Sequence, residues 1–258
     1  MNLGYFQARI NLINNFIAAL AINFTDAIKI IYRDVPARKI YLDNFLEDLR
    51  RIIWTCLPIA TLTVSASAIV YSIHVAAQFS TRGLSQYLGG VVALSLIREG
   101  VPVMASLAIV TQFCTGVTAQ IGSMKITEQI DAMKASKVYP EAYLLVPMLL
   151  SGLVGFPILC MICILAGIFV NYIFCNLLIN IDFHLFFNSI LNVVRIKDVF
   201  LAIIKTSVFG FFVTLVSYTC GVLTVGGSKA LGSSTRLSVV INFALVVILD
   251  YIITALWI

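Results

Sequence analysis

The sequence predicts an all-α integral membrane protein: about five transmembrane helices, an interfacial helix before them and a short cytoplasmic helix between two of them. Three observations predict it. Of the 258 residues, 60% are hydrophobic and 11% charged, and the mean hydropathy is +1.01. A soluble domain carries about 25% charged residues, so charge is too scarce here to cover a water-soluble enzyme or nucleic-acid binder. Second, the apolar residues fall in runs that reach the roughly 20 residues a bilayer-crossing helix needs. Third, the charges that remain, net +5, are clustered. Arg9, Lys29, Arg33, Arg38, Lys39, Arg50 and Arg51 precede the first long run, and Lys125, Lys134 and Lys137 share one connection. Short basic connections mark the cytoplasmic side of a membrane protein, so the basic balance speaks of topology and not of nucleic acid.

The elements follow in chain order. Within residues 2–31, Phe6, Ile10, Ile13, Ile17 and Leu20 recur at steps of four and three, the spacing of one helical face. Arg9, Asn11, Asn14 and Asn15 occupy other faces. This pattern predicts a helix lying in the interface plane; with no basic stretch ahead of the apolar one, it does not read as a signal peptide. Tyr32–Arg51 is a polar connector in which Pro36 disfavours helix at Val35. The first span is Ile52–Phe79, rich in the Thr, Ser and Ala that helix contacts in lipid favour. Thr81–Gln86 is a polar turn.

Tyr87–Ser123 is too long for one span and is interrupted by Arg98-Glu99-Gly100-Val101-Pro102. It predicts a short helix to Ile97, a break, and a full span from Pro102, where Pro suits a first helical turn. Residues 124–140 form a cytoplasmic island. Ile126, Ile130 and Met133 share one helical face, with Glu128, Asp131, Lys134 and Lys137 around it. Ala142–Cys175 carries Pro147 and Pro157 and should be kinked. Asn176–Asp198 reads as an external, interfacial segment. Val199–Val225 is a further span, Gly226–Arg236 a small-residue cytoplasmic loop and Leu237–Ile258 the last span. The Lys/Arg distribution then puts the N-terminus inside and the C-terminus outside.

Several chemistries are disfavoured. Cys160 and Cys163 form a C-x-x-C inside LVGFPILCMICILAG, with no second pair and no nearby His. Zinc and redox pairs need polar, accessible thiolates, so these two read as packing residues, as do Cys56, Cys114, Cys175 and Cys220. With His74 and His184 as the two histidines, no histidine-based metal site assembles. GGSKALGSST at Gly226–Thr235 places its Lys before the final Gly, whereas a phosphate-binding loop ends on Gly-Lys-Ser/Thr. The chain therefore has no ATPase machinery, is no enzyme by its own residues and binds no cofactor itself. ATP and Mg would belong to a separate subunit, docked on the amphipathic island near Glu128 and Asp131.

Charges at membrane depth are costly and mark a cavity or a partner. Arg98 and Glu99 are adjacent and cannot share a face of a regular helix. A break at Gly100-Val101-Pro102 would let both turn toward one polar pocket; a structural ion pair holding the broken helix is the alternative. Asp250, inside the last span, points to structural pairing with a residue such as Lys205.

At these residues a resemblance emerges. Leu88–Met133, LGGVVALSLIREGVPVMASLAIVTQFCTGVTAQIGSMKITEQIDAM, resembles the signature of the MlaE/YrbE permease family. These are the membrane subunits of MCE-linked lipid ABC transporters, plastid lipid-import permeases among them. Ser234–Leu256, STRLSVVINFALVVILDYIITAL, is similar to the family's closing Thr-Arg … Leu-Asp-x-x-x-Thr-Ala-Leu. Order and spacing agree over nearly the whole chain after residue 45.

The resemblance implies a homodimer with a lipid pocket at its centre. Arg98 and Glu99 match the family's pocket-lining Arg-Glu pair, with Leu94, Ile97 and Val101 as apolar neighbours. ATPase subunits would dock on a coupling helix at Thr127–Lys137, through Thr127, Glu128, Asp131 and Met133. An MCE-domain ring would sit on the outer face, and a small STAS-type subunit on the cytoplasmic one. Arg236 matches the cytoplasmic Thr-Arg position; Asp250 and Thr254 match the last-helix motif. The implied cargo is phospholipid, and the implied location a bacterial inner membrane or a plastid inner envelope.

The chain departs from the family pattern in two places. Gly100-Val101-Pro102 stands where Leu-Gly-Pro is usual, and Gln112 and Gln120 stand where an Arg and a Glu are usual, which leaves the net charge unchanged. A stand-alone secondary transporter or channel is a rival reading. It would need an ionisable relay drawn from Arg98, Glu99, Lys205 and Asp250, and no internal repeat supports it. An intramembrane transferase would need a His/Asp/Glu cluster at the membrane face, and none stands out.

Overall fold

Two Val-Pro steps shape the helices of this protein. The structure, a computed structural model, describes residues 3–33, 38–81 and 87–257, with the side chains of 3–13, 31–33, 38–41, 77, 80 and 81 excepted. In order, the helices are α1 Leu3–Arg33, α2 Arg38–Thr81, α3 Leu88–Ser95, α4 Val101–Ile126, α5 Gln129–Ala135, α6 Val146–Ile179, α7 Phe183–Val193, α8 Ile196–Val222 and α9 Ser228–Trp257. Two five-residue π-turns, Leu96–Gly100 and Glu141–Leu145, join α3 to α4 and lead into α6. Among the described residues, five stretches are long and apolar enough to cross a membrane: Leu42–Ala76, Leu88–Ile126, Glu141–Ile179, Ile196–Val222 and Ser228–Trp257. The all-α fold and the five spans agree with the sequence.

The expected break at Gly100-Val101-Pro102 is absent. A proline cannot donate to the carbonyl four residues back, and its ring crowds that carbonyl. Here the turn before it widens: the Val101 N–H bonds the Leu96 carbonyl, five residues back. The same happens before Pro147, where the Val146 N–H bonds the Glu141 carbonyl. A local π adjustment lets a proline sit within a continuous membrane helix.

Three further boundaries differ from expectation. Arg38–Arg51 is not connector but the start of α2, which is 44 residues long. Leu, Arg, Lys and Glu, all good helix formers, make up eight of the fourteen residues from Arg38 to Arg51, Pro and Gly are lacking before Pro58, and Glu47 precedes Arg51 at the helix-stabilising spacing of four. The supposed loop Gly226–Arg236 is mostly helix. Gly226 takes a positive φ of 119°, and the Gly227 carbonyl then accepts the Ala230 and Leu231 N–H groups, launching α9. The segment 176–198 holds the end of α6, the whole of α7 and the start of α8. Asp182 caps α7 by accepting the His184 N–H at 3.1 Å. The predicted connector around Val35 and Pro36, the turn after Thr81 with Arg82, and the side chains of Phe6, Ile10 and Ile13 lie outside the described residues.

The chain forms two compact units. The first comprises Met1–Ile52, Val110–Gly152 and Phe211–Leu245. Within it α1 packs on α8 through Asn23, which donates to Thr219 Oγ1 at 3.0 Å, and through an edge-on Phe24–Phe211 contact. Ile17, on the face predicted to be apolar, is 59% exposed. At the centre of this unit, Thr118 donates to Ser238 Oγ at 2.9 Å and Asn242 to Ser217 Oγ at 3.1 Å, all four residues fully buried. Such small polar pairs hold helices together where lipid supplies no hydrophobic drive.

The second unit comprises Ile53–Ile109, Leu153–Gly210 and Val246–Ile258. Asn171 on α6 donates to Ser72 on α2 at 2.7 Å, both buried. The amphipathic α7 lies against α3, with Phe186 buried and Tyr172 edge-on to Phe183. The six cysteines are buried and form no disulfide.

Candidate functional site

The π-turn Leu96–Gly100 positions the charged pair of the second unit. Because Pro102 has no N–H, the Arg98 carbonyl lacks its usual helical donor. Lys205 Nζ, from α8, supplies one at 3.1 Å. The same ammonium reaches Glu99 Oε2 at 2.8 Å and Asp250 Oδ1, on α9, at 2.8 Å. An ammonium has three donors, and three oxygens surround this one. The Lys205 side chain is 0% exposed; a buried cation is tolerable only with such a set of partners.

Arg98 and Glu99 diverge from that point. Arg98 Nε donates to Asp198 Oδ1 at 2.7 Å, and Asp198 Oδ2 accepts the Arg195 N–H at 2.9 Å. Thr254 Oγ1 donates to Glu99 Oε1 at 3.2 Å. The exposures are telling: Arg98 is 47% and Glu99 46% exposed, while Asp198 is 2%. Each of the two heads is tethered to a buried or half-buried partner and still presents free surface. A cationic and an anionic head on successive residues, each held in place by its own partner, suit a charged or zwitterionic headgroup, with the guanidinium as the phosphate-binding half.

The other predicted residues fall as follows. Ile97 and Val101 are buried, at 3% and 1% exposure, and Leu94 is half-buried. Asp250 and Thr254 join the network; the pairing of Asp250 with Lys205 is the one the sequence suggested. Arg236 stands apart on α9, exposed, with its Nε donating to the Gly232 carbonyl. In the first unit, Thr127, Glu128 and Asp131 are exposed around α5, Met133 is half-buried and Ile130 is buried, matching the predicted apolar face. Glu128 takes a left-handed backbone (φ 60°) that turns the chain from α4 into α5. Asp131, outside the spans, accepts both bonds of a Lys125 ammonium at 2.9 Å, and this contact holds its carboxyl below the usual range. Among the described residues no three His, Cys, Asp or Glu side chains gather as metal ligands.

Sequence reasoning missed Asp198, placing it at the end of an external segment. Its signal was spacing: Asp198 and Lys205 are seven apart, two turns, and so share a face of α8. It also missed that Gln120, one of the two departures from the family pattern, accepts a hydrogen bond from Arg51 Nη1. Gln112 is exposed on α4.

The family model described as Permease MlaE matches residues 45–256. A probable ABC transporter permease protein of Synechocystis is 31% identical over 208 residues, covering 81% of this chain and 79% of that one. One of Rickettsia typhi is 29% identical over 217 residues, 84% of each. The chloroplastic Arabidopsis thaliana protein TRIGALACTOSYLDIACYLGLYCEROL 1 is 28% identical over 217 residues, 84% of this chain but 62% of the plant protein.

Proposed function

We infer from membership of the MlaE permease family, to which this chain belongs, that it is the lipid-carrying membrane subunit of an ABC transporter. The observation that carries the reading is the pair of exposed, tethered heads on Arg98 and Glu99 within a membrane helix. The guanidinium meets the phosphate of a phospholipid and the Glu99–Lys205–Asp250 cluster sets the polarity around it. Leu94, half-exposed, offers apolar surface to an acyl chain, and the buried Ile97 and Val101 pack behind it. The plant relative's name contains a galactolipid, which supports a lipid as cargo. Two copies of the chain enclose the pocket, and an MCE-domain ring and a STAS-type subunit complete the assembly in a bacterial inner membrane or a plastid inner envelope. ATP and Mg bind a separate ATPase.

That ATPase docks on α5 and its flanks, where Thr127, Glu128 and Asp131 are exposed and Met133 half-exposed over the buried Ile130. Closure of the nucleotidase subunits pushes this helix, narrows the pocket and expels lipid. Glu128→Lys should abolish co-purification of the ATPase while leaving the melting temperature unchanged; undiminished recovery of the ATPase sinks the docking role.

The whole reading is tested by tagging the chain in its native membrane, solubilising it mildly and identifying bound proteins and lipids by mass spectrometry. Stoichiometric ATPase and MCE protein are expected, with phospholipid retention falling several-fold in Glu99→Gln. Recovery of the chain alone would favour a solitary carrier.

A further inference from the structure

In the second unit, α2 exposes two kinds of surface at one depth. Beyond Pro58 its buried positions are Ala60, Val64, Ala68, Ser72 and Ala76, and two contacts with α6 fix its rotation. Val64 Cγ1 lies 3.1 Å from where a Cβ on Gly167 would stand, and Asn171, one turn further along α6, donates to Ser72. What is left exposed divides in two. Leu62, Val70 and Ile73, at 70%, 54% and 47%, make one half. Tyr71, His74 and Gln78 make the other; spaced by three and four, they fall within about 60° of one another at 3.6 residues per turn.

The two halves need different surroundings. The aliphatic half suits acyl chains. Hydroxyls elsewhere on α2 turn back onto their own helix, Thr63 onto the Ile59 carbonyl and Ser67 onto that of Val64, and so cost little in hydrocarbon. A phenol, an imidazole and a carboxamide carry their polar atoms further from the backbone and belong beside water or headgroups. An aromatic belt at the bilayer surface does not explain them, because that level wets every exposed side of a helix. Here Val70 adjoins Tyr71 and Ile73 adjoins His74 at the same depth.

Tyr71 connects this polar row to the lipid site. Its Cε2 lies 3.8 Å from the Cβ position of Gly100, against the turn that holds Arg98 and Glu99, whose heads are half-exposed. From Tyr71 the row continues through His74 to Gln78, about 10 Å along the axis at a rise of 1.5 Å per residue. The Lys/Arg distribution puts that end of α2 on the outer side. Phenol and carboxamide donors are neutral and bind a phosphate more weakly than a guanidinium does, so the row passes a headgroup on where Arg98 would hold it. We propose that Tyr71, His74 and Gln78 are the path a phospholipid headgroup follows between the Arg98–Glu99 site and the C-terminal end of α2, its acyl chains lying alongside on Leu62, Val70 and Ile73. The path rests on the lipid-carrier reading.

The test is photolabelling of the purified full chain in phospholipid nanodiscs with two phosphatidylglycerol probes. One carries a diazirine on its glycerol headgroup and the other at the end of an acyl chain; labelled residues are located by mass spectrometry. Neighbouring residues serve as depth controls. The Tyr71:Val70 and His74:Ile73 labelling ratios should be roughly tenfold higher with the headgroup probe than with the acyl probe, the preference that one hydrogen bond to a charged group gives. Intrinsic side-chain reactivity cancels in that comparison. His74→Leu with Gln78→Leu should cut headgroup labelling of Tyr71 several-fold; should that variant melt early, the wild-type ratios decide alone. Equal ratios with the two probes overturn the path, as does undiminished labelling of Tyr71 in a folded double variant. The turn Leu96–Gly100 separates this failure from that of the carrier reading. Headgroup labelling of the turn with none on the row overturns the path and leaves the lipid site standing; labelling of neither overturns both.

Discussion

Replacing Lys205 with Met should destabilise the protein by about 3–5 kcal/mol, the cost of stripping one partner from a buried ion pair. The loss should exceed that of Glu99→Gln or Asp250→Asn. Either of those leaves the ammonium at least one carboxylate and the Arg98 carbonyl. Lys205→Met removes all three contacts at once, at 2.8, 2.8 and 3.1 Å. Methionine nearly matches the volume, so the deficit is electrostatic. Glu99 and Asp250 are left facing each other without a cation, and the Arg98 carbonyl is left without a donor because Pro102 cannot provide one. Thermal unfolding of the detergent-solubilised chain checks this, and a melting temperature within a degree or two of wild type would sink the keystone role. A cycle sharpens it. Lys205→Met combined with Asp250→Leu should cost less than the sum of the two single changes, because residues in one network couple.

The architecture was largely legible because bilayer physics writes long, simple signals: five apolar runs became five spans. What misled was local chemistry whose outcome depends on a neighbour. Gly100-Val101-Pro102 reads as a break to anyone counting lost helical bonds. It is not one, because a lysine on α8, more than 100 residues away in sequence, takes over the carbonyl that proline abandons. Asp198 reads as the tail of an external segment, and only the return of α7 onto α3 makes clear that it can meet Arg98. Arg38–Arg51 reads as connector by its polarity, yet its Leu, Arg, Lys and Glu carry α2 back to Arg38. By contrast, Asp250 could be paired with Lys205 from the sequence, since an ionised group inside a span must find an opposite charge and few were on offer. Arg98 and Glu99 could be singled out for the same reason, though not their separate partners.

Gly90→Val should be the most damaging change on the α3–α7 contact, and the sign of glycine substitutions across this chain can be argued from space alone. A Cβ on Gly90 would stand 2.5 Å from the Ser189 carbonyl oxygen and 2.5 Å from Val193 Cγ2; on Gly89 it would stand 2.6 Å from the Phe186 carbonyl. Two of these obstacles are backbone, which cannot rotate aside as a long side chain would. Gly90 also donates its N–H to Ser189 Oγ at 2.9 Å, a bond that requires this close approach. Overpacking a core costs about 1–3 kcal/mol where side chains can adjust; a β-branched residue against a helix backbone should reach the top of that range or pass it. The damage reaches the site. α3 runs directly into the turn that carries Arg98 and Glu99, and α7 leads into the start of α8, where Asp198 sits. Prying α7 from α3 should therefore loosen the Arg98–Asp198 pair and lower lipid retention along with the melting temperature. Gly232, inside α9, has nothing within 4 Å of its Cβ position. There Gly232→Ala should stabilise by roughly 0.5–1 kcal/mol, the entropy a helical glycine forfeits. Melting curves of the two variants should move in opposite directions from wild type. If Gly90→Val melts with the wild type, α7 does not hold α3 at the distance that brings Asp198 to Arg98.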